Sequence, residues 1–222
     1  LGLSPSNSDY IGIMEKLGSE PEKNWLQIKQ VIEEWMRQDR KFVCSWLISL
    51  DNQRLYNQVL NFIIQYWPAN QNEGIKDFIA TLRDDPSKSN AINSLIYKMH
   101  MQDPDVALEL FEMVKIDPNN IYGLAGAIGR GLASKDIDKA LAFTETLTNP
   151  KVKDSVLAQI GTFIAQKNPY DAIEFSNRIK DEEQNAHLIS FAIGQIAHKD
   201  PDAAMAIIKK YPTGQIRDKC SQ

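Results

Sequence analysis

Amides, cations and imidazoles recur along the chain at helical spacings, and these side chains are the ones best suited to hold a partner. Intervals of three and four residues place side chains on one face of a helix. Asn and Gln offer both a donor and an acceptor to a peptide backbone, and Lys29 and Arg130 carry charge for an acidic group. The candidate binding residues are Lys29, Gln58, Asn61, Gln65, Asn90, Asn93, Tyr97, Arg130, His187 and His198. The alternative interpretation of this polar stripe is an ordinary solvated helix face.

Histidine and cysteine spacings do not predict a metal site or a nucleophile. His100, His187 and His198 include no pair at the i, i+4 interval that places two imidazoles on one helix face. Cys44 follows an apolar position and is interpreted as a buried structural thiol, whereas Cys220 lies in a tail that the pattern does not classify. Two cysteines are too few for a disulfide framework. We therefore expect no metal and no cofactor.

Two other patterns resemble catalytic motifs but have structural interpretations. The string around Gly126, Gly129 and Gly131 lies inside a predicted helix and follows no strand, so close helix packing explains it better than a phosphate-binding loop. The adjacent pairs Asp84-Asp85 and Glu182-Glu183 fall at predicted helix starts, where acids stabilise the positive end of the helix dipole. The sequence thus contains no motif of an enzyme.

Composition excludes further classes of protein. The chain has 222 residues and a net charge of −4, so it lacks the excess of basic residues that is typical of nucleic-acid-binding proteins. The longest apolar run, residues 203–208, is far shorter than the roughly 20 residues of a membrane span. We expect a protein without membrane insertion, and the composition suits the cytoplasm, the periplasm and the cell exterior alike.

The binding stripe is carried by an internal repeat. An Asp or Asn recurs every 32 or 33 residues at Asp103, Asp136, Asn168 and Asp200, and we call these positions anchors. Stepping back by 32 reaches Gln71, Asp39 and Asn7, where the apolar pattern continues. Pro follows Asp103, Asn168 and Asp200, which is typical of an N-cap with Pro at the first helical position.

Apolar columns flank each anchor at the helical period. The column four residues after the anchor is Val43, Ile75, Ala107, Ala140, Ala172 and Ala204, and the column eleven before it is Ile28, Leu60, Ile92, Ala125, Leu157 and Ile189. Further columns lie seven and eleven after the anchor and four and eight before it. Each unit is therefore predicted to hold two amphipathic helices of about 17 and about 12 residues, giving an all-α protein of about thirteen helices.

The units resemble tetratricopeptide repeats. In the run 107–119, Ala107, Phe111 and then Asp117-Pro118 follow the second helix and terminal Pro of that motif. The period is shorter than the family's roughly 34 residues, and the Trp, Leu-Gly and Tyr signature is replaced by Ile-Gly at Gly129, Gly161 and Gly194. The resemblance implies one domain over residues 1–222, a right-handed α-solenoid of about six to seven helix-turn-helix units. It also implies that the longer helix of each unit lines a concave binding face.

Function follows from this architecture as a set of ranked expectations. The first is a non-enzymatic scaffold that binds a protein or peptide through the concave face. The alternative is a superhelical docking region of a larger enzyme, such as one that processes peptidoglycan. A nucleic-acid-binding helical repeat ranks third, because no Lys/Arg stripe is present to meet a phosphate backbone. Since the last unit stops in mid-repeat, we expect the array to continue, or to lose order, beyond Gln222.

Overall fold

The computed structural model describes residues 5–68, 74–113 and 121–211. Within these ranges the protein is all-α, with twelve α-helices, one 3-10 helix and no strand. The helices are α1 Asn7–Leu17, α2 Trp25–Ile48, α3 Gln53–Tyr66, α4 Ile75–Thr81, α5 Pro86–Met99, α6 Pro104–Glu112, α7 Ile121–Lys135, α8 Ile137–Thr146, α9 Pro150–Lys167, α10 Pro169–Phe175, α11 Glu182–Ala197 and α12 Pro201–Ile208, with the 3-10 helix at Ser176–Arg178. No helix in these ranges is both long enough and apolar enough to cross a bilayer.

The anchors start helices, as predicted. Asp103, Asp136, Asn168 and Asp200 are N-caps whose side chains accept hydrogen bonds from the first turn of α6, α8, α10 and α12. Asp39 does the same inside α2, where its non-helical backbone (φ −147°, ψ 74°) interrupts the helix and its carboxylate accepts from Phe42 N at 3.0 Å. Helix α2 therefore consists of two helical segments that meet at an anchor. Gln71 lies outside the described residues.

The helices that follow an anchor are shorter than predicted. They run for 7 to 10 residues instead of about 12. Three of the residues eleven positions after an anchor are extended, with ψ of 149° at Leu82, 120° at Leu147 and 119° at Ile179. Leu82 and Ile179 are nevertheless buried. Because the linker residue is also apolar, the apolar spacing in the sequence extends beyond the last residue of the helix.

The core follows the predicted columns. All six residues four positions after an anchor are at most 2% exposed, and all six residues eleven before it are at most 4% exposed. The small Ala side chains of the first column, such as Ala107, Ala140 and Ala172, let each short helix approach its neighbours closely. The same positions of each repeat are thus buried, so the pattern of burial recurs together with the sequence.

The contacts group the chain into two compact units, residues 1–95 and 96–222, with the boundary inside α5. In the first unit, α2 packs on both α1 and α3. Tyr10 stacks on Trp35 with ring centroids 5.2 Å apart, and Trp67 stacks on Phe78 at 5.4 Å. The single domain expected over residues 1–222 stays a prediction.

In the second unit the long helices pack in succession. Helix α7 packs on α9, and α9 packs on α11, while the shorter helices lie against them. A methyl group added at Gly129 would overlap Val156, and one added at Gly161 would overlap Leu188. Gly129 and Gly161 hold equivalent positions in successive repeats, so the close approach of two helices recurs with the repeat. The string around Gly126 lies in α7, which confirms helix packing and not a phosphate loop.

Hydrogen bonds within each unit join residues about one repeat apart. In the first unit, the Asn7 side chain donates to Asp39 at 3.1 Å and Arg54 donates to Glu22 at 3.1 Å. In the second, Lys135 Nζ donates to the Gln102 carbonyl at 2.9 Å. These bonds connect equivalent positions of successive repeats.

Candidate functional site

A polar groove lies between α3 and α5 in the first unit. Its volume is about 560 Å³. It is lined by Gln53, Asn57, Leu60, Asn61, Asp85, Pro86, Ser87 and Asn90, and we call it the amide groove. Two of the residues predicted from the sequence, Asn61 and Asn90, come together in it.

The two helices present their amides to the groove because their opposite faces are buried. On α3, Val59 and Ile63 are fully buried, which leaves Asn61 exposed on the other side of the helix. On α5, Ile92 and Leu95 are buried and Asn90 is exposed. Leu60, only 2% exposed, gives the groove an apolar floor.

The start of α5 closes one end of the groove. The Asp85 carboxylate accepts a hydrogen bond from Ser87 N at 2.7 Å and another from the Ser87 hydroxyl. The Ser87 hydroxyl bond is the main reason that the pKa of Asp85 lies below its ordinary value, and the Ser87 amide and Gln53 contribute in the same direction. Asp85 is therefore a fixed negative charge at neutral pH.

A hydrogen-bond network holds the same end rigid. Gln53 Nε2 donates to Asn57 at 3.0 Å and to Asp85 at 3.4 Å, and Arg83 donates to Gln53 Oε1 at 3.0 Å. Asn61 and Asn90, in contrast, make no side-chain hydrogen bond to any described residue. Their amides are available to donate to and accept from a ligand, over an apolar floor and beside one carboxylate.

The remaining predicted residues of the first unit lie outside this groove. Lys29 is half-buried, and Lys29 and Glu33 both influence the pKa of Tyr66. Burial is the main reason that the pKa of Tyr66 is raised. Gln58 and Asn93 are half-buried and Gln65 is exposed, and none of the three lines the groove.

The predicted residues of the second unit do not form one cluster with a described contact. Tyr97 is 51% exposed, with its hydroxyl against Gly123. Arg130 is half-buried, and its Nε is shielded from solvent without a hydrogen-bond partner in the described residues. His187 and His198 are both exposed, and His198 ends α11.

Sequence reasoning missed Gln53, Asn57, Asp85 and Ser87 as groove residues. Asp85 was identified only as a helix start, and Gln53 and Asn57 lie in the first two turns of α3, before the stripe begins. The available signal was the separation of 32 residues between Gln53 and Asp85, which is the repeat period.

The Cys44 thiol is half-buried, less than the buried thiol predicted from the sequence. Burial raises the pKa of the Cys44 thiol to about 12, so this thiol is protonated and a poor nucleophile. In the described residues, no group of three His, Cys, Asp or Glu side chains is placed to hold a metal ion. Asp181 caps α11, with Glu182 and Glu183 in its first turn, as expected of helix-start acids. Cys220 lies outside the described ranges.

Comparison of the chain with protein-family models, with curated proteins and with solved structures finds no match in any of the three. The likeness to tetratricopeptide repeats therefore rests on the residues quoted above and on the repeat that the anchors define.

Proposed function

We propose that the chain is a non-enzymatic interaction module that binds an extended peptide segment of a partner protein in the amide groove. The observation that carries the proposal is the pair of free amides, Asn61 and Asn90, on opposite walls of one groove. An extended peptide presents alternating donors and acceptors, and each Asn side chain matches both. Two helical walls hold the amides in place, so little ordering is needed on binding.

The repeat supports the wider architecture in this proposal, a right-handed α-solenoid of tetratricopeptide-like units. Within the second unit, α7, α9 and α11 pack in succession, which is how neighbouring units of a helical repeat bury their apolar faces. In such arrays the longer helices line the concave surface, and both walls of the amide groove, α3 and α5, are longer helices.

The test starts from peptides and not from a known partner. A random-peptide display library is selected on the protein, and the affinities of enriched peptides are measured by fluorescence polarisation. The double variant Asn61→Ala with Asn90→Ala should weaken binding roughly tenfold or more, since each lost hydrogen bond costs about 0.5–1.5 kcal/mol. Gln30→Ala, an exposed amide on α2 outside the groove, is the matched control and should change nothing.

Two results would contradict the proposal. One is failure to enrich any peptide. The other is a set of peptides that bind the double variant as tightly as the unaltered protein while circular dichroism shows that both are folded.

A further inference from the structure

A second cavity lies in the first unit, between the segment of α2 that follows Asp39 and helix α4. Its volume is about 320 Å³. It is lined by Arg40, Lys41, Cys44, Ser45, Ile48, Trp67, Gly74, Asp77, Phe78 and Thr81, none of which lines the amide groove. We call it the tryptophan cavity.

The walls of the tryptophan cavity are largely apolar. Trp67 and Phe78 stack with ring centroids 5.4 Å apart, and Ile48 adds an aliphatic side chain that is 36% exposed. The Cys44 thiol is neutral, because burial raises its pKa to about 12. Small-molecule sites typically have this size and composition, with apolar walls and a few polar groups that orient the ligand.

The polar groups of the cavity are unevenly placed along α2. Lys41, Cys44, Ser45 and Ile48 follow one another at intervals of three, one and three residues, so they share one face of the helix. Seven residues separate Lys41 from Ile48, which is about 10 Å along the axis. The wall therefore passes from a cationic end to an apolar end.

Charge at the cationic end favours an anion. The Arg40 guanidinium lies over the Trp67 ring, 4.8 Å from its centroid. The Lys41 side chain is exposed and makes no hydrogen bond or ion pair with a described residue. Among the described lining residues, Asp77 is the one carboxylate, and Lys41 is the cation that lies exposed at this end.

We propose that the tryptophan cavity binds an amphiphilic carboxylate, a small molecule with an acid group at one end and an apolar body. The carboxylate pairs with Lys41 beside Arg40. The apolar body lies against Trp67 and Phe78 and extends towards Ile48. A neutral ligand of the same shape leaves Lys41 without a partner, and an amine places a second cation beside Lys41.

The test compares three probes with one tail. Binding of octanoate, octanol and octylamine is measured by isothermal titration calorimetry on the full chain. Octanoate should bind with one-to-one saturation, octanol up to about fivefold more weakly, and octylamine more weakly still, because an ion pair near the surface contributes about 0.2–1 kcal/mol. Equal binding of octanoate and octanol would overturn the proposal, as would absence of saturable octanoate binding.

Variants locate the site. Lys41→Glu should weaken octanoate binding about tenfold and leave octanol binding unchanged, since charge reversal replaces attraction by repulsion. Lys199→Glu, an exposed lysine in the second unit, makes the same change of net charge and should have no effect. Thr81→Phe should abolish binding of both probes by filling the cavity from α4, and Ser45→Phe should do the same from α2.

Two outcomes of the variant series would refute the assignment. Octanoate affinity that is the same in Lys41→Glu and in Lys199→Glu shows that the acid group does not lie at this cavity. Self-association that Thr81→Phe abolishes, without octanoate binding to the unaltered chain, assigns the cavity to a second copy of the protein.

Discussion

At the scale of single residues, Asp85 is the side chain whose ionisation is most closely tied to the amide groove. Its carboxylate accepts from Ser87 N and thereby stabilises the first turn of α5. Its pKa in the folded protein lies below the ordinary value of 3.8. The stabilisation is therefore complete above the ordinary value and is lost as the pH falls through the lower folded value.

Asp85→Ala should lower the free energy of unfolding at pH 7 by about 1 kcal/mol, the usual cost of losing a capping side chain. The deficit should shrink in acid, because the protonated carboxyl of the unaltered protein loses most of the same interaction. Urea unfolding at neutral pH and at low pH measures both values. Asp85→Asn keeps an acceptor at the cap and is the control, and a deficit of equal size at both pH values would contradict the role of ionisation.

Gly131 is the residue at which the packing of α7 permits no side chain. A Cβ at this position would overlap the carbonyl oxygen of His100, which is backbone and cannot move aside as a side chain can. The glycine thus sets how closely α7 approaches the end of α5.

Gly131→Ala should lower the free energy of unfolding by roughly 1–3 kcal/mol, since overpacking of this kind forces a shift of the backbone. Gly12→Ala provides the matched comparison, because Gly12 lies within α1 and a Cβ there meets nothing within 4 Å. That variant should be stabilised by about 0.5–1 kcal/mol through its helix propensity. Thermal unfolding distinguishes the two, and equal effects of the two substitutions would contradict the packing explanation.

At the scale of elements, the caps and the buried columns could be predicted because each depends on local chemistry repeated many times. Asp39 shows how far this extends: no Pro follows it, yet the anchor spacing located a helix start there, and the backbone leaves the helical region at that residue. The ends of the short helices could not be predicted in the same way. Apolar periodicity does not separate the last helical residue from a buried linker residue such as Ile179.

The amide groove could be predicted only in part, for a reason that also lies at the scale of elements. Asn61 and Asn90 are predictable because both lie on one helical stripe. Gln53 and Asp85 belong to helix starts on neighbouring repeats, and their meeting depends on how α3 and α5 are placed in space. The sequence pattern alone does not give that placement, although the separation of 32 residues between Gln53 and Asp85 equals the repeat period.

At the scale of the whole molecule, the two compact units predict that a destabilising substitution in the core of one unit should first lower the stability of that unit. Ile63→Ala removes a fully buried side chain of α3 and should cost the first unit about 2–5 kcal/mol. In the helical-repeat architecture proposed above, each repeat contacts only its neighbours, so stability is distributed along the chain.

Hydrogen exchange measured by mass spectrometry tests this prediction. Amides of α1, α2 and α3 should lose protection in Ile63→Ala, whereas amides of α9, α10 and α11 should keep most of theirs. Ala192→Gly, at a fully buried position of α11, is the reciprocal variant and should reverse the pattern. A uniform loss of protection across all of these helices in either variant would show that the chain unfolds as one cooperative body.

The hydrogen bonds between successive repeats also bear on how the chain reaches its folded state. Asn7 with Asp39, Arg54 with Glu22, and Lys135 with Gln102 each join residues 32 or 33 positions apart. In the solenoid proposed above, closing a loop of that length costs the same conformational entropy at every point along the array. Adding a repeat therefore lengthens the protein without lengthening its loops, so relative contact order falls as the array grows. Folding can then begin at any well-formed pair of repeats and spread outward, and duplication or loss of one repeat leaves that route open.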